Sequence, residues 1–321
     1  MIARFAIPFF LFVGFILLPA LIFLLSRWLL PKRYRQLVGI VLAAFIIGLV
    51  GYGMTAGFRQ MKVEQIEYAS ADLPAAFDGY RIALFSDVHV ASLTKFHEPL
   101  VQQLIDSINA QAPDMIAFVG DMQNVQPEEL IPSMLFFRQL YAPDGVFAVL
   151  GNHDYATYQT GDDATKESNC LLTQNIIGKM GFDLLMNEHR IIHRDSDSIV
   201  VAGMENWGVA KRMPRRGDVK KTLAGLNGQQ PFTLMLQHDP TCWREKILPE
   251  CNAQLTLSGH THGGQFSLFG WSPAALTYKE WKGMNYEGSR ALYVSTGAGS
   301  LIPFRLNQPR EIVVITLKRK H

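Results

Sequence analysis

Two uncharged runs near the amino terminus limit what this chain can become. Residues 5–25 hold no charge, and only Pro8, Gly14 and Pro19 interrupt their apolar character; residues 37–58 hold none either. A helix rises about 1.5 Å per residue, so roughly 20 residues cross a hydrocarbon core. The segment SRWLLPKRYRQ lies between the runs and carries Arg27, Lys32, Arg33 and Arg35. The first run is too long for the core of a cleaved signal peptide, and a second follows at once. The pattern predicts two transmembrane helices, about 5–25 and 37–58. Residues 1–60 then form a membrane anchor and residues 61–321 a globular domain. The positive-inside rule places the basic connection in the cytoplasm. Only Arg4 precedes the first run, and Arg59 and Lys62 follow the second. The globular part is therefore expected on the extracytoplasmic side of a bacterial inner membrane. The alternative is a cytoplasmic-facing domain. Gly53 and Gly57 make a GxxxG at the helix end, weak evidence for helix pairing.

Charge separates the two parts as well. Before Glu64 there are seven Lys/Arg and no acid; the remainder holds 23 basic against 28 acidic residues. An acidic globular part argues against a general nucleic-acid binder. Cys170, Cys242 and Cys251 lack the spacing of a disulfide framework or a zinc knuckle and read as core residues. One bridge, Cys242 to Cys251, fits an oxidising compartment.

Past Val63, short apolar runs rich in β-branched and aromatic residues alternate with longer stretches of helical period. Strands are expected at 81–86, 114–120, 145–151, 197–203, 232–237, 253–259, 291–297 and 311–317. Several are near-continuous apolar runs, as strands buried on both faces require. Between the first two, Leu100, Val101, Leu104, Ile105 and Ile108 form one helical stripe over 98–111. A second helix is expected over 128–140. The alternation predicts an α/β layered domain.

The polar residues fall in phase with these strands. Residues 81–86 run into Asp87-Val88-His89, residues 114–120 into Asp121, and residues 145–151 into Asn152-His153-Asp154. Residues 232–237 run into His238, and residues 253–259 into His260-Thr261-His262. Ligand sites of α/β sheets lie outside the carboxyl ends of strands, so five loops can meet in one place.

In order, the blocks SDVH (86–89), GDMQN (120–124), GNHD (151–154), QHDP (237–240) and GHTH (259–262) resemble those of the calcineurin-like metallophosphoesterase family. The resemblance covers about residues 78–317. GHTHGGQ and the later STGAGSLIPFRLNQPREIVVITL are similar to a bacterial membrane-linked phosphodiesterase branch. The family implies a layered β-sandwich flanked by helices and two divalent metal ions, of Mn, Fe or Zn type. It implies Asp87, His89, Asp121 and His262 at the first ion, and Asp121, Asn152, His238 and His260 at the second. His153 is implied beside the scissile phosphate, with Asp154 orienting it. Asn152 and Arg305 are candidate substrate contacts. Asn124 departs from the pattern, which has Asp there.

The expected activity is phosphoester hydrolysis by a membrane-anchored enzyme. A phosphodiester is the favoured substrate, lipid-linked or held at the envelope. A cytoplasmic-facing hydrolase of the UDP-diacylglucosamine type and a phosphomonoesterase are alternatives. A non-catalytic metal-binding membrane protein fits less well, since every ligand position is filled. His97, His189, His193 and His321 fit no block and are expected to be structural or exposed. Trp207 and Tyr158 are expected in core or rim packing.

Overall fold

The computed structural model describes residues 2–226 and 231–320, with backbone alone at 2–6 and 94–98. Twelve strands are present among them. They are β1 (Met61–Ser70), β2 (Arg81–Phe85), β3 (Met115–Val119), β4 (Val146–Val149), β5 (Asp183–Leu184), β6 (Glu188–Arg194), β7 (Asp197–Gly203), β8 (Thr233–Leu236), β9 (Leu255–Ser258), β10 (Gly283–Glu287), β11 (Arg290–Val294) and β12 (Arg310–Arg319). They form two six-stranded sheets, ordered β1-β12-β2-β3-β4-β5 and β10-β11-β9-β8-β7-β6. In the first, β2 to β5 run parallel and β12 runs antiparallel to β2. In the second, β7, β8, β9 and β11 are parallel, between antiparallel edges β6 and β10.

Side-chain alternation sorts the core into layers. Ile82, Leu84, Ala117 and Val119 of the first sheet meet Val201, Leu234 and Leu257 of the second. Ala83, Phe85, Ile116 and Phe118 point the other way, onto Leu104, Ile105 and Ile108 of the helix Val90–Asn109. On the outer face of the second sheet, Val200, Ala202 and Met235 pack on Trp243. Every residue of β3, β4, β8 and β9 is buried, which is why β3, β4 and all of β8 but Thr233 read as apolar runs, while β9 alternates Leu255 and Leu257 with buried Thr256 and Ser258. The fold is the expected α/β layered sandwich.

Several elements differ from the expectation. β1 and β6 carry Lys62, Glu64, Glu67, Glu188, Arg190 and Arg194 at exposed or half-buried positions, so no apolar run marks them. The helix Asp163–Lys179 buries Cys170 and Thr173 beside Ile176 and Ile177, so its stripe is only half apolar. Its start is capped by Asp162, whose carboxylate accepts from the Thr165 backbone N–H. The helix expected over 128–140 is a 3₁₀ segment, Pro127–Ser133, followed by one α-turn, Met134–Phe137. Pro132 lacks the N–H and clashes with the preceding turn, which stops an α-helix there.

The amino-terminal hairpin is helical over both apolar runs. The segments Ile7–Leu29 and Arg35–Gly57 have mean hydropathies of 2.7 and 2.4 and are long and apolar enough to cross a membrane. They outrun the expected bounds, so Arg27 and Arg35 belong to helical turns rather than to the connection. Gly39 permits the helices to touch: a Cβ there would lie 2.2 Å from Ser26 Oγ. The hairpin docks on the sandwich through residues 304–310. A Cβ at Gly53 would lie 2.3 Å from the Phe304 ring, and one at Gly57 2.2 Å from the Arg305 carbonyl oxygen. Arg305 N–H donates to the Gly53 carbonyl (2.9 Å), and buried Arg310 donates through Nε to that of Phe58 (3.1 Å).

Candidate metal centre

The loops after β2, β3, β4, β8 and β9 converge on Asp121. On one side, His89 Nε2 lies 3.2 Å from His262 Nε2 and 3.8 Å from Asp121 Oδ2, and His262 Nε2 lies 3.5 Å from Asp87 Oδ1. On the other, His238 Nε2 lies 3.3 Å from Asp121 Oδ2, 3.2 Å from Asn152 Oδ1 and 3.2 Å from His260 Nδ1. Asp121 Oδ2 thus faces both groups. Asp87, His89 and His238 are fully buried.

Neighbours select which ring nitrogen points inward. His238 Nδ1 lies 2.7 Å from the Val119 carbonyl, which directs Nε2 at Asp121. The Tyr278 hydroxyl lies 2.9 Å from His260 Nε2 and directs Nδ1 inward. The Asn152 amide donates to the Tyr158 hydroxyl (3.0 Å), which turns its Oδ1 toward His238. The backbone bears strain at the same positions. Asp87, His89, Asp121, His260 and His262 have φ of 51°, 47°, 61°, 73° and 53°. Left-handed backbone at non-glycine residues costs on the order of 1–3 kcal/mol each, and it persists where the surroundings fix it.

The electrostatics match a cation site. Burial would raise Asp121, yet His238, His153 and His89 hold it well below the usual carboxylate range. Burial pushes the Asp87 carboxyl up to about 6. It lowers His89 to about 3 and takes His262 well below the usual imidazole value. Burial would lower His238 too, but Asp121 and Asp87 outweigh it and carry the ring up to about 10. Without a cation, His238 holds a second proton toward Asp121; a bound metal ion replaces such a proton. Imidazole lone pairs facing one another at 3.2 Å, around carboxylates, fit divalent ions as a donor set.

A model of the calcineurin-like phosphoesterase family matches residues 80–264, a span that holds all seven of these side chains. The chain belongs to the calcineurin-like phosphoesterase family. It is a metal-dependent phosphoesterase. It is 29% identical over 297 residues to the uncharacterized metallophosphoesterase YkuE of Bacillus subtilis, covering 88% of this chain and 96% of that protein. It is also 29% identical over 294 residues to a transmembrane protein with metallophosphoesterase domain from Danio rerio, covering 89% of this chain but 63% of that longer protein. Among solved structures it is similar to the phosphopantetheinyl hydrolase of Mycobacterium tuberculosis, at 13% identity and a TM-score of 0.43 over 70% of this chain and 91% of that one.

Two roles expected in the phosphoesterase need correction. Asp154 does not touch the His153 ring. Its buried carboxylate accepts four backbone N–H groups: Oδ2 from Asp121 (2.7 Å) and Gly151 (2.9 Å), Oδ1 from Met122 (2.9 Å) and Gln123 (3.2 Å). It ties the loop after β3 to the loop after β4. The group that orients His153 is the Asn124 carbonyl, 2.5 Å from Nδ1. Arg305 has no donor left for a phosphate. It is fully buried, and its guanidinium donates to the carbonyls of Thr296, Gly297, Gly299, Gln308 and Pro309 and to Ser300 Oγ. All five of its N–H donors are spent inside the loop that holds the hairpin.

The remaining residues fall into place. Asn124 donates its amide to Ser92 Oγ (2.9 Å), and the carboxylate that accepts the loop's Asn124 and Val125 N–H groups comes from Glu129. Glu129 stands in no sequence block; only its position five residues past the loop marks it. Tyr158 packs on His153, with ring centroids 4.3 Å apart, and so belongs to the site rather than to its rim. His189 Nδ1 lies 2.8 Å from the Thr222 carbonyl and His193 is exposed, as expected of structural or surface residues. The side chains of His97 and His321 lie outside the described residues. Trp207 is half-buried and packs beneath Arg215, as expected. Cys242 and Cys251 are unbridged.

Proposed function

We propose that the protein is a membrane-anchored hydrolase that uses two divalent ions of Mn, Fe or Zn type, and that phosphodiesters are its substrates. The observation that carries this reading is the split of six donors about Asp121 Oδ2, with Asp87, His89 and His262 on one side and Asn152, His238 and His260 on the other. Bound ions supply charge neutralisation of the phosphate oxygens and a water acidified to a pKa near ~7. Asp121 is the residue placed to serve both positions. His153 is half-buried, and the Asn124 carbonyl holds its Nδ1–H, so Nε2 is the nitrogen left to act: only as the imidazolium, with a second proton on Nε2, can the ring give a proton to the leaving oxygen. Asn152 places its amide beside Tyr158 at the same opening. Asp154 and Gly151 hold the two ligand loops together.

Residues 1–60 are read as the anchor and 61–321 as the catalytic domain. The basic connection between the helices supports an extracytoplasmic site on the inner membrane. A reporter fused after His321 tests this: activity only in the cytoplasm reverses the orientation and favours a nucleotide-linked lipid precursor as substrate. Manganese-loaded protein should hydrolyse bis-p-nitrophenyl phosphate faster than p-nitrophenyl phosphate; the reverse order would make it a monoesterase.

A further inference from the structure

The loop that carries His262 has a second face, turned toward the hairpin. Gln265 donates through Nε2 to the carbonyls of Ile302 (3.0 Å) and Phe304 (2.8 Å). Phe304 packs on the Phe10 ring, centroids 4.8 Å apart, and over Gly53. The GGQ that follows the ligand histidines is thus the joint between metal centre and helices. Between these parts lies a half-open cleft of about 1280 Å³. Val13 and Leu18 of one helix, Phe45 and Leu49 of the other, Phe269 of the following loop, and His262 itself line it. Ordinary small-ligand clefts hold roughly 300–1,000 Å³, so this one has room for more than a headgroup.

The walls point to the occupant. Those helices are, among the described residues, the two segments long and apolar enough to cross a membrane. From Phe45 to Tyr52, both lining residues, the helix advances about 10 Å along its axis. The cavity therefore runs from the depth of the anchor to a residue of the Asp121 cluster. Water gains little there, because it needs two or more polar partners. Of the lining residues, Phe269 is fully exposed and Leu268 50% exposed, and Trp271, which pairs with Leu268, is 48% exposed. An apolar rim of this kind suits the boundary of a bilayer.

We infer that the cavity receives the hydrocarbon chain of a phosphoester lipid, whose phosphate reaches the Asp121 cluster past His262. The inference rests on the hydrolase reading above and adds the part of the substrate that the metal centre does not touch. The helices are then more than an anchor, because they supply half of the substrate site.

Two probes with one leaving group test it: methyl and dodecyl p-nitrophenyl phosphate, with full-length, manganese-loaded protein in nanodiscs. Water adds to phosphorus, the aryl P–O bond breaks, and p-nitrophenolate leaves in both cases. The dodecyl ester should show kcat/KM at least tenfold above the methyl ester. Leu49→Trp and, separately, Leu18→Trp narrow the cavity away from the ligand cluster. Each should remove that gain while leaving the methyl ester within twofold of the unmodified protein. Equal rates for the two esters in the unmodified protein overturn the inference and leave the hydrolase reading standing. So does a chain-length gain that survives both substitutions, or equal losses on both esters. If neither ester is hydrolysed by the metal-loaded protein, the hydrolase reading fails, and this inference with it.

Discussion

The approach of the β3 and β4 loops can be tested by adding one methyl group. A Cβ at Gly151 would lie 2.2 Å from Asp121 Oδ1 and 2.5 Å from its backbone nitrogen. Ordinary carbon contacts begin about 1 Å further out, and neither neighbour is the free end of a flexible chain. The Asp121 nitrogen is held by Asp154 (2.7 Å), and its Oδ1 accepts from His153 N–H (2.9 Å). Gly151→Ala must therefore displace Asp121, His153 or both by about 1 Å. Displacements of that size cost on the order of 10²-fold in rate, which is about 2.7 kcal/mol of barrier. The control is Gly178→Ala, near the end of the helix Asp163–Lys179, where a Cβ meets nothing within 4 Å. It should raise stability by up to about 1 kcal/mol through helix propensity and leave turnover unchanged. Steady-state hydrolysis of bis-p-nitrophenyl phosphate, with metal content measured on the same samples, reads both. If Gly151→Ala retains more than half of kcat/KM at full metal content, close approach of these loops does not place the catalytic groups, and the reasoning fails.

Two further predictions follow from the same loops. In Asp154→Asn, one oxygen becomes an amide that meets two backbone N–H donors; bonds to a charged acceptor are worth about 1.5–3 kcal/mol each. Burial and the neighbouring Asp121 push the Asp154 carboxyl up to about 7, so loss of its charge offsets part of that cost. The melting temperature should move modestly while metal content falls; full metal content with reduced turnover would instead restore the direct His153–Asp154 role. The second concerns pH. His238 has a folded pKa of about 10, above the ordinary imidazole value of 6.5. Its contribution is present below pH 6.5 and lost as pH rises through 10. Asp87 and Asp154, raised to about 6 and about 7, also lose stability as pH rises, but their change is complete by about pH 8, so pH 8–10 reads chiefly His238. Metal-free protein should lose a few kcal/mol across that window by chemical denaturation, and metal-loaded protein should not. Parallel slopes for the two forms would refute this.

What could be read in the sequence and what could not follow from the range of the forces involved. The strands β2, β3, β4, β8 and β9 are buried on both faces apart from Arg81, so charge is kept out of their interiors and their ends are sharp. That sharpness exposed the phase of Asp87, Asp121, Asn152, His238 and His260. Edge strands β1 and β6 face water on one side and carry charge there, which hid them. Asp154 and Arg305 were legible as residues but not as contacts. Asp154 spends its oxygens mainly on backbone groups of the distant loop after β3, and Arg305 spends its donors on carbonyls of its own loop; no side-chain spacing records such bonds. Gln265 and the cavity were hidden for the same reason: they depend on how the hairpin seats on residues 304–310.

The central claim is that two metal ions held about Asp121 make this chain a phosphoester hydrolase in which His153 handles the leaving oxygen. The most direct measurement combines metal content and turnover on the purified full-length protein and on His153→Ala. The account predicts two ions per chain in both, with bis-p-nitrophenyl phosphate hydrolysed by the first and turnover reduced about 10²–10⁴-fold in the second. Full metal occupancy without turnover of any phosphoester, or a His153→Ala variant as active as the parent, would contradict it.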